Sequence, residues 1–130
     1  MPGVETTGFS YSLLRLVPRV DRGERINVGV IVFSRPLQFL AARTSLDEAR
    51  ARVLCSDVDL DDVRHHLAAI ERIAAGDPDA GPIARLDLTA RFHWLVAPSS
   101  TIIQPSEVHT GICGEPDVEL EKLFRELVSS

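Results

Sequence analysis

The sequence predicts an α+β fold: a small antiparallel sheet, made of an N-terminal hairpin and about two further strands, packed with three to four helices. Two observations predict this class. Residues 9–43 alternate in part or are rich in β-branched side chains, whereas later segments repeat apolar residues at helical spacing. A chain of 130 residues fits one domain with one core. We therefore predict a single domain over residues 9–130 and a disordered or extended tail over residues 1–8.

Three strands are predicted first. Phe9–Val17 alternates in part, and Pro18–Gly23 collects the Pro, Asp and Gly residues that favour turns. Glu24–Phe33 is long and β-branched, so we predict it as the central strand, paired to the first in a hairpin. Leu37–Arg43 is predicted as a third antiparallel strand. Regular alternation places Ile26, Val28, Val30 and Val32 on one face of the central strand, and Asn27, Gly29, Ile31 and Phe33 on the other.

Two helices are predicted next. Ser45 and Glu48 have the spacing of a capping box, which indicates a helix that runs to about Cys55. Asp59 can cap a second helix, and Gly76 can end it. The apolar stripe of this second helix consists of Leu60, Val63, Leu67, Ile70 and Ile73.

The last third of the chain is less regular. Asp77–Pro82 is predicted as a loop. Asp87–Ala97 suits a helix capped by Asp87, which we prefer, although Phe92–Val96 also fits a buried strand. Thr101–Gln104 is predicted as a short edge strand that leads into a polar loop ending at residue 111. Proline at position 116 can begin a C-terminal helix, whose apolar stripe is Leu120, Leu123, Phe124, Leu127 and Val128.

Composition limits the classes of partner and compartment. A net charge of −5 argues against general nucleic-acid binding, although residues 1–56 carry eight Arg against five acidic residues. No apolar run approaches the roughly 20 residues of a membrane-spanning helix, and residues 1–8 do not resemble a signal peptide. We expect a cytoplasmic protein with no membrane partner, in which Cys55 and Cys113 stay reduced. The thirteen arginines against one lysine indicate a G+C-rich bacterial genome.

No motif of a common enzyme class is present: there is no P-loop, no G-x-G-x-x-G, no H-E-x-x-H, no G-x-S-x-G and no C-x-x-C. His65 and His66 are adjacent, so on a helix they point about 100° apart and cannot readily bind one metal ion. We therefore predict neither a metal nor a cofactor.

One group of candidate site residues follows the first turn. Arg22 and Glu24 flank Gly23, and Asn27 precedes Gly29 by two residues. Glycine in a strand often marks a close approach by a ligand or by another part of the chain. Asn27 could then bind an entering ligand, or it could satisfy a loop backbone while Glu24 pairs with an arginine across the hairpin; we favour this second, structural interpretation.

A second group lies in the predicted polar loop. Gln104, Ser106 and His109 offer donors, acceptors and a group that titrates near neutral pH. Ser106, His109 and Glu107 are conceivable as a nucleophilic triad, but sequence neighbours rarely reach that geometry, so we favour a structural loop or binding surface. A third feature is a set of arginines that could bind phosphate: Arg15, Arg19, Arg22, Arg25, Arg35 and Arg43.

Two regions carry a resemblance to a known family. Tyr11–Arg15 with Arg22–Val30, and Phe92–Pro98 with the segments Gln104–Ser106 and His109–Gly111, resemble the bacterial domain-of-unknown-function family 3037. The resemblance spans about residues 9–128 and implies no activity, cofactor or catalytic residue. It implies a HipA-like kinase as a partner, because members are often encoded beside one. Glu107 departs from the proline expected there, which makes this loop less rigid.

Two hypotheses of function follow. The favoured one is a non-catalytic binding or protein-interaction module, accessory to a HipA-like kinase. The alternative is an enzyme acting on a phosphorylated small molecule or nucleic acid, with Arg22, Glu24 and Asn27 opposite His109 in one pocket. We also predict that Trp94 or the segment Ile102–Pro105 packs closely over Gly29, since a mid-strand glycine without such a contact would cost roughly 0.5–1 kcal/mol.

Overall fold

The computed structural model describes residues 6–18, 24–98 and 101–129. In this part of the chain five antiparallel strands form one sheet, accompanied by four α-helices, which confirms the predicted α+β class. The strands are β1 (Thr7–Leu16), β2 (Ile26–Ser34), β3 (Phe39–Thr44), β4 (Ile103–Pro105) and β5 (His109–Cys113). The helices are α1 (Glu48–Leu54), α2 (Leu60–Ala75), α3 (Leu88–Leu95) and α4 (Pro116–Leu127), and two short 3₁₀ turns lie at Pro78–Ala80 and Ile83–Arg85.

The sheet has the order β3-β2-β1, and both β4 and β5 pair with the outer side of β1. The predicted hairpin of β1 and β2 is present, with pairs running from Ser10 and Phe33 to Leu16 and Ile26. β1 begins at Thr7, two residues earlier than predicted. Most of the predicted turn, residues 19–23, lies outside the described residues.

The polar loop predicted to run to residue 111 is wrong in its second half. His109–Cys113 forms strand β5, which pairs antiparallel with the start of β1 from Thr7 to Tyr11. The segment carries little strand signal of its own, because it combines a glycine with polar side chains and spans five residues. Pairing with β1 therefore stabilises an extended conformation that the local sequence favours only weakly.

Each face of the sheet carries its own hydrophobic cluster. We call the face of Leu14 and Leu16 the first face; α1, α2 and α3 pack on it. We call the face of Leu13 and Val30 the second face; α4 packs on it. On the first face the rings of Phe33 and Phe92 stack with centroids 4.4 Å apart and join α3 to the sheet.

Regular alternation along β2 is also wrong, because a β-bulge interrupts it. Leu14 pairs with Gly29 whereas Arg15 pairs with Asn27, so Val28 is an extra residue with no partner of its own in β1. Because of this extra residue, side chains after the bulge point to the opposite face from the one that regular alternation predicts. Val28 therefore packs in the first-face cluster while Val30 packs in the second. Asn27 consequently lies on the face opposite to Gly29, contrary to the prediction.

The helix boundaries agree with the capping signals, with one exception. Asp59 caps α2, Gly76 ends it in a left-handed conformation, and Asp87 caps α3, so residues 88–95 form a helix rather than the alternative strand. The predicted capping box is wrong. Asp47 is the N-cap residue of α1 and accepts from the backbone N–H of Arg50, whereas the backbone N–H of Ser45 donates to the carbonyl of Val28 in the sheet.

A close approach exists at Gly29, but the predicted partners are wrong. A Cβ atom added there would lie 2.9 Å from Leu14 Cδ1, 3.0 Å from the Arg43 carbonyl oxygen and 3.0 Å from Thr44 Cγ2. These groups belong to the two strands that flank β2. Trp94 instead lies at the end of α3 with 49% of its surface exposed.

Candidate functional site

The polar residues predicted as a site fall into separate places. Arg22 lies outside the described residues. Ser106 is buried between β4 and β5, where its hydroxyl accepts from the backbone N–H of Leu13 at 2.8 Å and its own N–H donates to the Leu13 carbonyl at 2.7 Å. The Ser12 hydroxyl donates to the Ser106 carbonyl at 2.8 Å. Ser106 therefore continues the hydrogen bonding to β1 in the gap between β4 and β5.

Asn27 and Gln104 flank Arg15 in the sheet and also serve the fold. Arg15 pairs with Asn27 of β2 on one side and with Gln104 of β4 on the other. The Asn27 amide donates to the carbonyl of Leu127 at 3.0 Å and holds the end of α4. The Gln104 amide donates to the carbonyl of Thr101 at 3.0 Å and closes the turn before β4. The register brings these two predicted residues onto one face, the second.

His109 lies farther along the same face. It pairs with Tyr11, and the two rings stack with centroids 5.1 Å apart. Glu107 Oε1 lies 3.9 Å from His109 Nε2. The described residues show no hydrogen bond between Ser106 and His109, because the Ser106 hydroxyl is engaged with backbone groups of Leu13 and Glu107. The geometry thus does not assemble a triad from these neighbours.

Glu24 is separated from His109. It lines a crevice of about 400 Å³ together with Ile26 and side chains of α1, which packs on the first face. His109 stacks on Tyr11, which packs against the second-face cluster. The enzyme hypothesis required Glu24 and His109 in one pocket, and the structure places them on opposite sides of the sheet.

Burial also affects the thiol of Cys113 at the end of β5. Burial raises the pKa of Cys113, and the negative charge of Glu119 acts in the same direction. A raised pKa keeps this thiol protonated near neutral pH, and a protonated thiol is a poor nucleophile. Cys113 thus contributes to the second-face core and does not offer a reactive group.

A second concave surface was missed by sequence reasoning. It is a groove of about 350 Å³ on the first face, between α2, the end of α3 and strand β4. We call it the Trp94 groove. It is lined by Leu14 and Ile103 of the sheet, Ile70 and Ile73 of α2, and Trp94, and His66 supplies a polar group to the lining. The alternation of β4, which points Ile103 and Pro105 to this side, was the signal that could have revealed it.

Two further features of the described residues bear on the class of site. Within residues 6–18, 24–98 and 101–129, no group of three or more His, Cys, Asp or Glu side chains is placed to hold a metal ion. In the same ranges, no helix has both the length and the apolar character needed to cross a membrane.

Comparison with known proteins gives a family and no activity. Residues 11–128 match the family described as "Protein of unknown function (DUF3037)". Neither a curated protein nor a solved structure matches this chain.

Proposed function

Since this chain belongs to the DUF3037 family, whose description gives no function, we propose a function from the molecule's own surface: a non-catalytic protein-interaction module that receives an apolar side chain of its partner in the Trp94 groove. The observation that carries the proposal is a half-exposed tryptophan at an open apolar groove. Trp94 keeps 49% of its surface exposed, although burying an indole ring is strongly favourable. A ring left in water beside an apolar groove is typical of an interaction surface.

The size and lining of the groove suit a protein side chain. A volume of about 350 Å³ is at the lower end of the range for small-ligand pockets, which span about 300–1,000 Å³. It can accommodate one or two large apolar residues. His66 and Thr101 in its lining supply polar groups that could fix the orientation of a bound segment.

The roles of the predicted polar residues also favour binding over catalysis. Ser106, Asn27 and Gln104 each make hydrogen bonds that hold strands or helix ends in place. A catalytic group has to be free to meet a substrate and to exchange protons with it. Residues already committed to backbone groups are poor candidates for that role, and the proposal therefore places function on the apolar surface.

The partner we propose is a HipA-like kinase. The support for this choice is the gene neighbourhood that the family resemblance implies. An accessory domain needs a binding surface and no chemistry of its own, and the largely apolar lining of the Trp94 groove agrees with such a role.

Co-expression with that kinase, followed by size-exclusion chromatography, tests the proposal. We expect one co-eluting complex at micromolar concentration, and we expect Trp94→Ala to weaken binding by about thirtyfold, the scale of a central interface residue worth about 2 kcal/mol. Leu37→Ala is the matched control, because Leu37 is 44% exposed in the turn between β2 and β3, away from the groove. Separate elution, or equal losses in the two variants, would contradict the proposal.

A further inference from the structure

Arg15 occupies an unusual position in the middle of the sheet. It lies in β1 between Asn27 of β2 and Gln104 of β4, and directly opposed residues on neighbouring strands point to the same face. Asn27 contacts the end of α4, which packs on the second face. Arg15 therefore points to the second face, beside the end of α4 and two residues along from the buried Leu13.

Arg15 combines partial burial with the lack of a side-chain partner among the described residues. Arg43 pairs with Glu121, Arg64 with Glu48 and Asp61, and Arg72 with Asp77. In the part of the chain that the structure describes, five arginine side chains make neither an ion pair nor a hydrogen bond: Arg15, Arg25, Arg35, Arg50 and Arg52. Four of these are exposed and hydrated, whereas Arg15 is half-buried.

A half-buried guanidinium without an anion is unfavourable. Removing a charged group from water costs free energy that an opposite charge or hydrogen bonds normally offset. The two opposing side chains cannot supply an opposite charge, because Asn27 and Gln104 are neutral amides. Each amide nitrogen already donates one hydrogen bond to a backbone carbonyl. No described residue thus takes up the hydrogen-bond donors of the guanidinium, and they can bind an incoming group.

We propose that Arg15 is the centre of a binding site for a carboxylate, supplied by an acidic segment of a protein partner. A guanidinium binds a planar carboxylate through two parallel hydrogen bonds, and the apolar surroundings of Leu13 strengthen such a pair. The amide oxygens of Asn27 and Gln104 are acceptors for backbone N–H groups of the same segment. The site rests on the proposed function only in taking a protein as its partner.

Charge favours an acidic peptide over nucleic acid at this site. The site itself is positive, because Arg15 lies between the neutral side chains Asn27 and Gln104. Residues 57–130 carry six basic and fourteen acidic residues, and this excess repels a densely charged polyanion. A short segment with separated carboxylates can pair with Arg15, and its few charges limit that repulsion.

Binding of a fluorescein-labelled peptide in which two glutamates are separated by Gly and Ser residues, measured by fluorescence anisotropy at low salt, tests the site. We expect Arg15→Gln to weaken binding at least tenfold, the loss of roughly one charge-assisted hydrogen-bonded pair. Arg25→Gln removes the same charge from an exposed position, and we expect a loss below about threefold from screening. Failure of the parent chain to bind at about 1 mM peptide, a concentration that detects weak complexes, overturns the proposal, as do equal losses in the two variants.

A second pair of variants keeps the test decisive if Arg15→Gln folds poorly. Gln104→Glu places a carboxylate directly opposite Arg15, where it occupies the guanidinium from within the chain. We expect at least a tenfold loss of peptide binding together with a higher Tm. Gln38→Glu adds the same charge in the exposed turn before β3 and should leave both unchanged. Unaltered peptide binding by Gln104→Glu would refute the site. The Trp94 groove lies on the other face of the sheet. The peptide-binding result at Arg15 therefore does not depend on whether the kinase complex forms.

Discussion

Single residues on β1, β2 and β5 show how closely the sheet is packed. The ring of Phe9 lies over Gly111, where an added Cβ would be 2.7 Å from Phe9 Cε1. Gly29 is enclosed in a similar way by Leu14 and by the backbone of β3. The backbone oxygen of Arg43 cannot move aside as the end of a side chain can, so Gly29 is the less tolerant of the two glycines.

Gly29→Val is therefore expected to lower the free energy of unfolding by about 1–3 kcal/mol, the usual cost of overfilling a packed interior. Strand propensity alone predicts the opposite sign, because valine is favoured over glycine in strands. Gly8→Val is the matched control: Gly8 also lies in a strand, and no atom stands within 4 Å of its added Cβ. Urea denaturation of both variants separates the effects. A Gly29→Val variant at least as stable as the parent would disprove the steric argument.

The residue types of Ser106 and His109 indicated polar side chains but did not predict what each side chain does in the fold. Ser106 and His109 are three positions apart, yet Ser106 is buried against Leu13 while His109 stacks on Tyr11. The separation arises because three residues, 106–108, oppose two residues of β1 between the β4 and β5 pairings. Such an interruption depends on the neighbouring strand and leaves no local signal in the sequence. Arg15 was noticed only as one of several arginines, because its missing partner is a property of the folded sheet.

At the scale of elements, the competition between two capping residues decides where α1 begins. Ser45 and Asp47 both have side chains that suit an N-cap. The backbone N–H of Ser45 continues the pairing of the sheet by donating to Val28 at 2.8 Å, which holds Ser45 in extended structure. Asp47 is the first capping residue beyond that constraint, and it accepts from the N–H of Arg50 at 3.1 Å.

Asp47→Ala is expected to destabilise the protein by about 0.5–2 kcal/mol, the cost of losing an N-cap side chain. Ser45→Ala should change stability by less than about 0.5 kcal/mol, as for an ordinary exposed substitution. Thermal melts followed by far-UV circular dichroism measure both variants under the same conditions. The reverse order of the two effects would restore the capping box as the start of this helix.

Strong periodic elements were predictable, and irregular ones were not. α2 combines a cap at Asp59, five apolar residues at helical spacing and a stop at Gly76, and all of these signals agree. β5 and the bulge in β2 lack such agreement. The bulge inserts Val28, and an extra valine in a run of β-branched residues looks the same as regular strand. Its consequence is large, because it moves Asn27 to the face of Arg15.

For the whole molecule, the placement of helices explains where its open surfaces lie. On the first face α2 packs on β3, and on the second face α4 packs on β2 and β3. The outer half of the sheet, formed by β1, β4 and β5, is less covered. The Trp94 groove opens on one side of this half, and Arg15 and Gln104 lie on the other side. The Trp94 groove and the Arg15 site therefore lie on the two sides of the β4 edge, and one partner that binds around this edge could contact both.

The same arrangement predicts an uneven distribution of local stability. In β2, residues 28–34 are all buried and the strand is paired on both sides, so their amides should exchange only when the whole protein unfolds. α1 has seven residues, and Ala51 is its one buried residue. A helix this short is not stable without tertiary contacts, so it should open locally. Native-state hydrogen exchange should show the α1 amides at least about thirtyfold less protected than those of β2, a difference of about 2 kcal/mol. Equal protection of the two elements would show instead that α1 unfolds only together with the sheet.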